Sequence, residues 1–219
     1  MKYTTLQRIF TFLLALSAFS PQLMAQNQSQ ARTWSLDITP QVGYRTSMTF
    51  NTEPPVDGVN ARIVLDANPS FGVAFGARFA DQNVVEFRWA REDTEMRVTG
   101  PAVLARQRVL LDQFHFDFTH EYVVREWPAW ARPFIMGGVG WTRISSTEAT
   151  NTFTRFSFGL GGGIKAFPSP HLGFKLQAQW LPMWVTPEVQ AFCRVGCVVH
   201  LTGQLVSQGE VAIGPVIRF

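Results

Sequence analysis

In QFHFDFTHEY, Gln113 to Tyr122, a histidine stands two residues from an aspartate. His115 and Asp117 on one side of an extended chain could act as an acid–base pair or supply two metal ligands. A second set lies in AFCRVGCVVH, where Cys193, Cys197 and His200 have the spacing C-x3-C-x2-H. A third, GLGGGIK, has the glycine content of a phosphate-cradling loop. Each also has a plainer reading. His115 and Asp117 could belong to an internal hydrogen-bonding network. The glycines lack the strand–loop–helix setting and the spacing of nucleotide motifs. Gly159, Gly161 and Gly163 share one face, where small residues make room for neighbours. The cysteine set lacks a fourth metal ligand. Two cysteines in an exported chain most simply form a disulfide, with metal binding and free thiols as the alternatives. Neither a metal nor a cofactor is expected, and Cys193–Cys197 is read as a bridge that shapes a loop tip.

The elements that position these residues have a strand period. In TWSLDITPQVGYRTSMTF, Trp34, Leu36, Ile38, Val42, Tyr44, Met48 and Phe50 alternate with Ser35, Asp37, Thr39, Gln41, Arg45 and Thr49. The same two-residue period returns at 71–79, 85–89, 107–123, 133–144, 155–167, 172–184 and 204–219, eight strands in all. In the fifth strand Phe134 and Met136 compete with Ile135, Val139 and Trp141 for the apolar face. Connections near 51–69, 91–106, 145–154 and 186–202 read as long or polar loops. Those at 80–83 and 168–171 are short, and 124–132 is the longest on its side. Alternating short turns and long loops fit an all-β fold, an eight-stranded antiparallel up-and-down transmembrane β-barrel. A soluble barrel would turn the apolar face inward instead. Aromatic placement favours the membrane. Trp34, Trp127, Trp130, Trp141, Trp180 and Trp184 fall near expected strand ends, as an interfacial girdle requires.

With the apolar phase outward, the opposite phase holds Asp37, Arg45, Arg78, Glu86, Arg88, His115, Asp117, Lys165, Lys175, Glu210 and Arg218, with several glutamines. Reversing it would put many charges in hydrocarbon at roughly 2–4 kcal/mol for each Arg or Lys at the midplane. An eight-stranded barrel is just wide enough for its own side chains. Acids and bases there should pair, because a lone buried charge is costly. The expectation is a polar plug in which Asp37, Glu86, Asp117 and Glu210 pair with these bases.

The N-terminus sets the compartment. Lys2 and Arg8 precede the apolar run IFTFLLALSAF, and Ala25 stands where a signal peptidase would cut. Residues 1–25 are read as a signal peptide and 26–219 as one barrel domain. Without them the 19 lysines and arginines fall to 17 against 16 acids, a formal charge of +1. That balance gives no electrostatic case for nucleic acid. Glu92, Asp93, Glu95, Arg97 and Arg106 make a mixed-charge loop that could meet lipopolysaccharide through its bases.

The C-terminus EVAIGPVIRF ends in Phe219, with Ile217, Pro215, Ile213 and Val211 at two-residue steps. It resembles the terminal signal by which Gram-negative outer-membrane barrels are recognised for insertion, with Pro215 as the departure. VVEFRWARED, RPFIMGGVGWTRI and GLGGGIKAFPSPHLGFKLQAQWLP look like the outer-membrane β-barrel domain family of OmpA-, OmpX- and OmpW-like barrels. The resemblance implies an outer-membrane location. It also implies lipids and lipopolysaccharide as neighbours, and periplasmic chaperones and the barrel-assembly machinery as biogenesis partners. It implies no reaction. The expected role is non-enzymatic, in envelope integrity or surface contacts through the loops, with passage of small or hydrophobic solutes as the alternative. A lipid-modifying enzyme is the third reading. One class of lipid-A-modifying barrels resembles the chain in strand number and has an outward His–Ser pair, whereas His115 has Phe114 and Phe116 as outward partners and no serine beside it. Mass spectrometry of the unreduced mature protein should find Cys193 and Cys197 bridged; two alkylatable thiols would refute the bridge.

Overall fold

The computed structural model describes residues 34–51, 62–100, 103–146, 152–185 and 204–219. The expected signal peptide (1–25), Cys193 and Cys197 lie outside the described residues. The described chain is all strand and turn. Its strands are β1 (Ser35–Arg45), β2 (Met48–Asn51), β3 (Arg62–Leu65), β4 (Asn68–Ala80), β5 (Asn83–Gly100), β6 (Val103–Glu121), β7 (Ala131–Ser146), β8 (Thr152–Ala166), β9 (Leu172–Val185) and β10 (Gln204–Arg218). They form eight staves, because β2 continues β1 and β3 leads into β4. The pairs Arg45↔Asn68 and Met48↔Leu65 keep one register across both breaks.

Pairing is antiparallel throughout and returns on itself. The order β5-β4-β1-β10-β9-β8-β7-β6 closes through β5–β6, from Asn83↔His120 to Gly100↔Val103. The chain ends are locked together where Phe219 N–H donates to the Leu36 carbonyl at 2.9 Å and Leu36 N–H to the Phe219 carbonyl at 3.2 Å. Closure is what lipid demands, since an open strand edge in hydrocarbon would leave peptide groups unsatisfied.

The two faces separate by chemistry. His115 is 0% exposed and Phe116, its neighbour, 51%. Leu36, Val42, Phe75, Phe118, Val139, Leu160, Leu176, Val211 and Ile213 are likewise exposed on the outer wall. Phe87 and Phe116 pack across β5–β6 at 5.1 Å, and Phe114 stacks on Trp141 at 5.6 Å. Trp34, Trp127 and Trp130 are exposed at the end with the short turns, and Trp141 and Trp184 lie further towards the loops. The fifth strand's phase is also decided. Phe134 and Met136 are buried in the lumen, and Ile135, Val139 and Trp141 face out.

Two expected loops are strand instead. Residues 91–100 and 103–106 lengthen the β5–β6 hairpin, and Arg62–Leu65 forms β3. The two-residue period persists there, but its outward positions are Arg91, Asp93, Glu95 and Arg97 rather than apolar side chains. Above the hydrocarbon an outward charge costs little, so polarity ceases to mark a loop.

Phe116 lies midway along the apolar part of β6. Phe116→Arg should cost roughly 2–4 kcal/mol in urea unfolding from phospholipid vesicles. Unchanged stability would reverse the assignment of the faces.

Candidate functional site

The lumen holds the chemistry. Asp37, Arg45, Arg78, Glu86, Arg88, His115, Asp117, Lys165, Lys175, Glu210 and Arg218 all face it, and the ionic groups fall into three connected sets. At the short-turn end, Arg218 donates to Asp37 through Nε and Nη2 at 2.8 and 2.9 Å. Its guanidinium also lies 3.8 Å from the centre of the Phe167 ring. Beside it, Lys175 Nζ donates to Glu86 at 2.6 Å, Lys165 Nζ approaches Glu121 at 3.1 Å, and Arg78 donates to both Glu121 oxygens at 2.8 Å. Both ammonium groups sit over the Phe134 ring, at 5.6 Å for Lys165 and 5.3 Å for Lys175. This explains an aromatic on an otherwise polar face, since a ring face attracts a desolvated cation.

The third set lies towards the loops. Arg88 donates to Asp117 at 3.0 Å and stands 3.7 Å from Glu210. Arg45 donates to Glu210 at 3.1 Å and lies 3.6 Å from Glu92, which also accepts from Gln208 at 2.9 Å. Gln179 and Ser70 also donate to Glu210. The short-turn set of Glu86, Glu121, Arg78, Lys165 and Lys175 carries one excess base. The set of Asp117, Glu210, Glu92, Arg45 and Arg88 carries one excess acid. With Asp37–Arg218, and leaving aside part-exposed Arg132 at 3.7 Å from Glu121, the described lumen sets six carboxylates against six bases. Neutrality by pairing is what a low-dielectric interior requires.

Glu92 and Glu121 were not among the expected interior residues. Glu121 has the same phase as His115 and Asp117, so the alternation itself carried that information. Glu92 was hidden because its segment was read as a loop.

The pair that prompted a catalytic reading has a partner that sequence distance conceals. His115 Nε2 lies 2.9 Å from Ser157 Oγ, which accepts from Thr142 at 3.2 Å. The absence of a serine beside His115 is therefore corrected. The register His115↔Gly140↔Ser157 spans three strands, and β7 has no side chain between them. A Cβ on Gly140 would come within 2.7 Å of the His115 ring, so only glycine admits the contact. The three side chains are not aligned as a hydrogen-bonded triad. His115 Nδ1 is 3.8 Å from Asp117 Oδ1, beyond hydrogen-bond reach, while the other Asp117 oxygen holds Arg88. His115 and Ser157 are both fully buried.

A closed wall with apolar outside and paired charges inside defines a membrane barrel. The sequence agrees, with residues 11–183 matching the outer membrane protein beta-barrel domain. The chain belongs to that family. No curated protein sequence matches it. OprG of Pseudomonas aeruginosa superposes with a TM-score of 0.59 at 13% identity, covering 86% of this chain and 97% of that one. AlkL in DMPC lipid bilayers gives 0.56 at 11%, covering 88% and 93%. Neisserial surface protein A gives 0.51 at 11%, covering 83% and 97%. At such identities the likeness is one of fold.

Two further features mark the loop end of this barrel. Towards the loops its lumen turns apolar, where Met48, Phe50, Ile63, Leu65, Met96, Val109, Leu111, Met183, Val185 and Val206 pack together. Beside that core, the β8–β9 seam weakens. The strands pair from Ala166↔Phe174 to Leu160↔Trp180 and again at Ser157↔Met183, with the gap opposite Leu181 and Pro182. Among the described residues, Thr152 to Phe156 pair with β7 alone. Pro182 has no N–H to offer a ladder.

Removing one partner of a buried pair leaves the other charge stranded. Glu86→Ala should destabilise the barrel by about 3–5 kcal/mol, and adding Lys175→Met should restore a large part. Equal urea midpoints for the single and double variants would contradict the pairing.

Proposed function

We propose that this chain is a non-enzymatic outer-membrane wall protein with a closed lumen, serving envelope integrity or surface contacts through its loop end. The observation that carries the reading is the lumen itself. Six carboxylates and six bases cross-link one part of it, and an apolar core fills the part towards the loops. Nothing in that arrangement resembles an aqueous pore, which needs far more strands. The buried, loosely aligned His115, Ser157 and Asp117 support a structural role over a catalytic one. Export through residues 1–25, and assembly guided by Val211, Ile213, Ile217 and Phe219, belong to the same proposal.

One observation favours passage of apolar solutes as a second reading. The apolar core, with Met48, Met96 and Met183 as adaptable linings, lies next to the incompletely paired β8–β9 seam. A solute entering from outside could leave sideways into the bilayer without crossing the ionic layer.

In planar bilayers the purified protein should show no large, stable conductance; a persistent open level would overturn the closed lumen. Cells with and without the protein should take up N-phenylnaphthylamine at equal rates under the first reading. Faster uptake in the presence of the protein would favour the second.

A further inference from the structure

Three wall prolines of this barrel share one placement. In an antiparallel pair a residue turns its N–H and its carbonyl to the same neighbour, so alternate residues bond to opposite sides. Leu36 and Phe219 exchange both bonds across β1–β10, and Thr46 N–H donates to the Gly209 carbonyl at 2.9 Å. Counted in twos along that register, Pro40 stands opposite Pro215 at a bonding position. Neither has an N–H. Both bonds are lost, and the ladder is interrupted between Ile38↔Ile217 and Val42↔Ile213. The same alternation turns the even-numbered residues of β9 towards β8. The N–H that Pro182 lacks is therefore missing from the β8–β9 seam, opposite Phe158. None of the three prolines takes a bond from the β9–β10 ladder, which runs without a gap from Leu172↔Ile217 to Val185↔Gln204. This strand pair is thus continuous within itself and bordered by two interrupted seams, whereas β1–β4 and β6–β7 are unbroken.

Inside the barrel the pair is fastened unevenly. Its short-turn half is held by Arg218 on Asp37 and by Lys175 on Glu86. At mid-height Glu210 accepts from Arg45 at 3.1 Å, and Gln208 donates to Glu92 at 2.9 Å and to the Thr46 carbonyl at 3.0 Å. Further towards the loops the fastening changes. Among the described residues, Gln204 to Ser207 pair with β9 alone, and Trp184 and Val185 with β10 alone. There the pair meets the rest of the barrel through the apolar side chains of Met183, Val185 and Val206. Hydrophobic contact is non-directional, so it tolerates displacement that a hydrogen-bonded register does not.

We infer that β9 and β10 form a hinged panel of the wall, pivoting on its ionic half and moving outward as a unit at the loop end. Gln208 and Glu210 are the latch at mid-height. The motion changes the bore at the loop end and leaves Asp37–Arg218 and Glu86–Lys175 in place. It goes beyond the wall-protein reading, which describes the closed state and needs no moving part.

Residue-resolved amide hydrogen exchange of the whole mature barrel in phosphatidylcholine nanodiscs tests the panel. Leu160 and Trp180 in one seam, and Tyr44 and Val211 in the other, should share one protection factor. It should be roughly tenfold below that of Gln179 and Glu210, which bond within the panel at the same height. Pro182→Val and Pro215→Val, made separately, each restore one N–H. Each should raise protection about fivefold in both seams, the weight of one hydrogen bond. A repair that leaves the opposite seam unchanged marks a local irregularity and overturns the panel. So does wild-type protein whose seam amides are as protected as Gln179 and Glu210, a readout that stands even where a variant fails to fold.

Discussion

The structure depends on one constraint: no backbone N–H or carbonyl can be left open in hydrocarbon. That requirement closes the ring of eight staves and locks Leu36 to Phe219. It then dictates the rest, because a closed pleated wall has only two faces. Apolar side chains take the lipid side, so the acids and bases that remain must share a lumen too narrow to hydrate them. Pairing follows from the lack of room. Glu86 accepts from Lys175, Glu121 from Arg78 and Asp117 from Arg88 because each would otherwise be a stranded charge.

Such pairs are weak evidence for stability, since desolvation offsets much of the attraction. Their value here lies in register. Slipping any strand by one residue would turn its whole inward row to lipid. The glycines of β7 make the same point sterically. Gly138 lies opposite Asp117 and Gly140 opposite His115, and backbone rather than side chain fills the space between β6 and β8. The His115–Ser157 contact is therefore a cross-brace over a bare strand. The His–Asp motif that suggested chemistry thus also has a place in the packing.

The two ends of the barrel answer to different surroundings. At the short-turn end the lumen is ionic and the turns carry exposed Tyr122, Val123, Trp127 and Trp130. Towards the loops the arrangement inverts. Charges move to the outer surface of the lengthened β5–β6 hairpin, as Arg91–Asp112, Arg97–Asp66 and Arg108–Asp93. Apolar side chains move inside. The outer face there meets headgroups and water rather than acyl chains, which permits charge outside and leaves the interior to hydrophobic packing. On the proposed reading, surface contacts belong to that end and the ionic end closes the lumen.

Alternation in QFHFDFTHEY determined by itself which residues face lipid and which face the lumen, because the strand period is exact and charge in hydrocarbon is costly. The same reasoning reached eight strands, short turns on one side and the inward acids and bases. It failed where its physical premise failed. Beyond the membrane the outward face is free to be polar, so Asp93, Glu95 and Arg97 looked like loop and Glu92 was overlooked. In β7 two apolar sets competed, and only the glycine row opposite His115 and Asp117 settled which one points inward. Which carboxylate meets which base, and that Ser157 stands beside His115, were decisions of the tertiary structure alone. They depend on the stagger between strands distant in sequence, and a two-residue period carries no information about stagger.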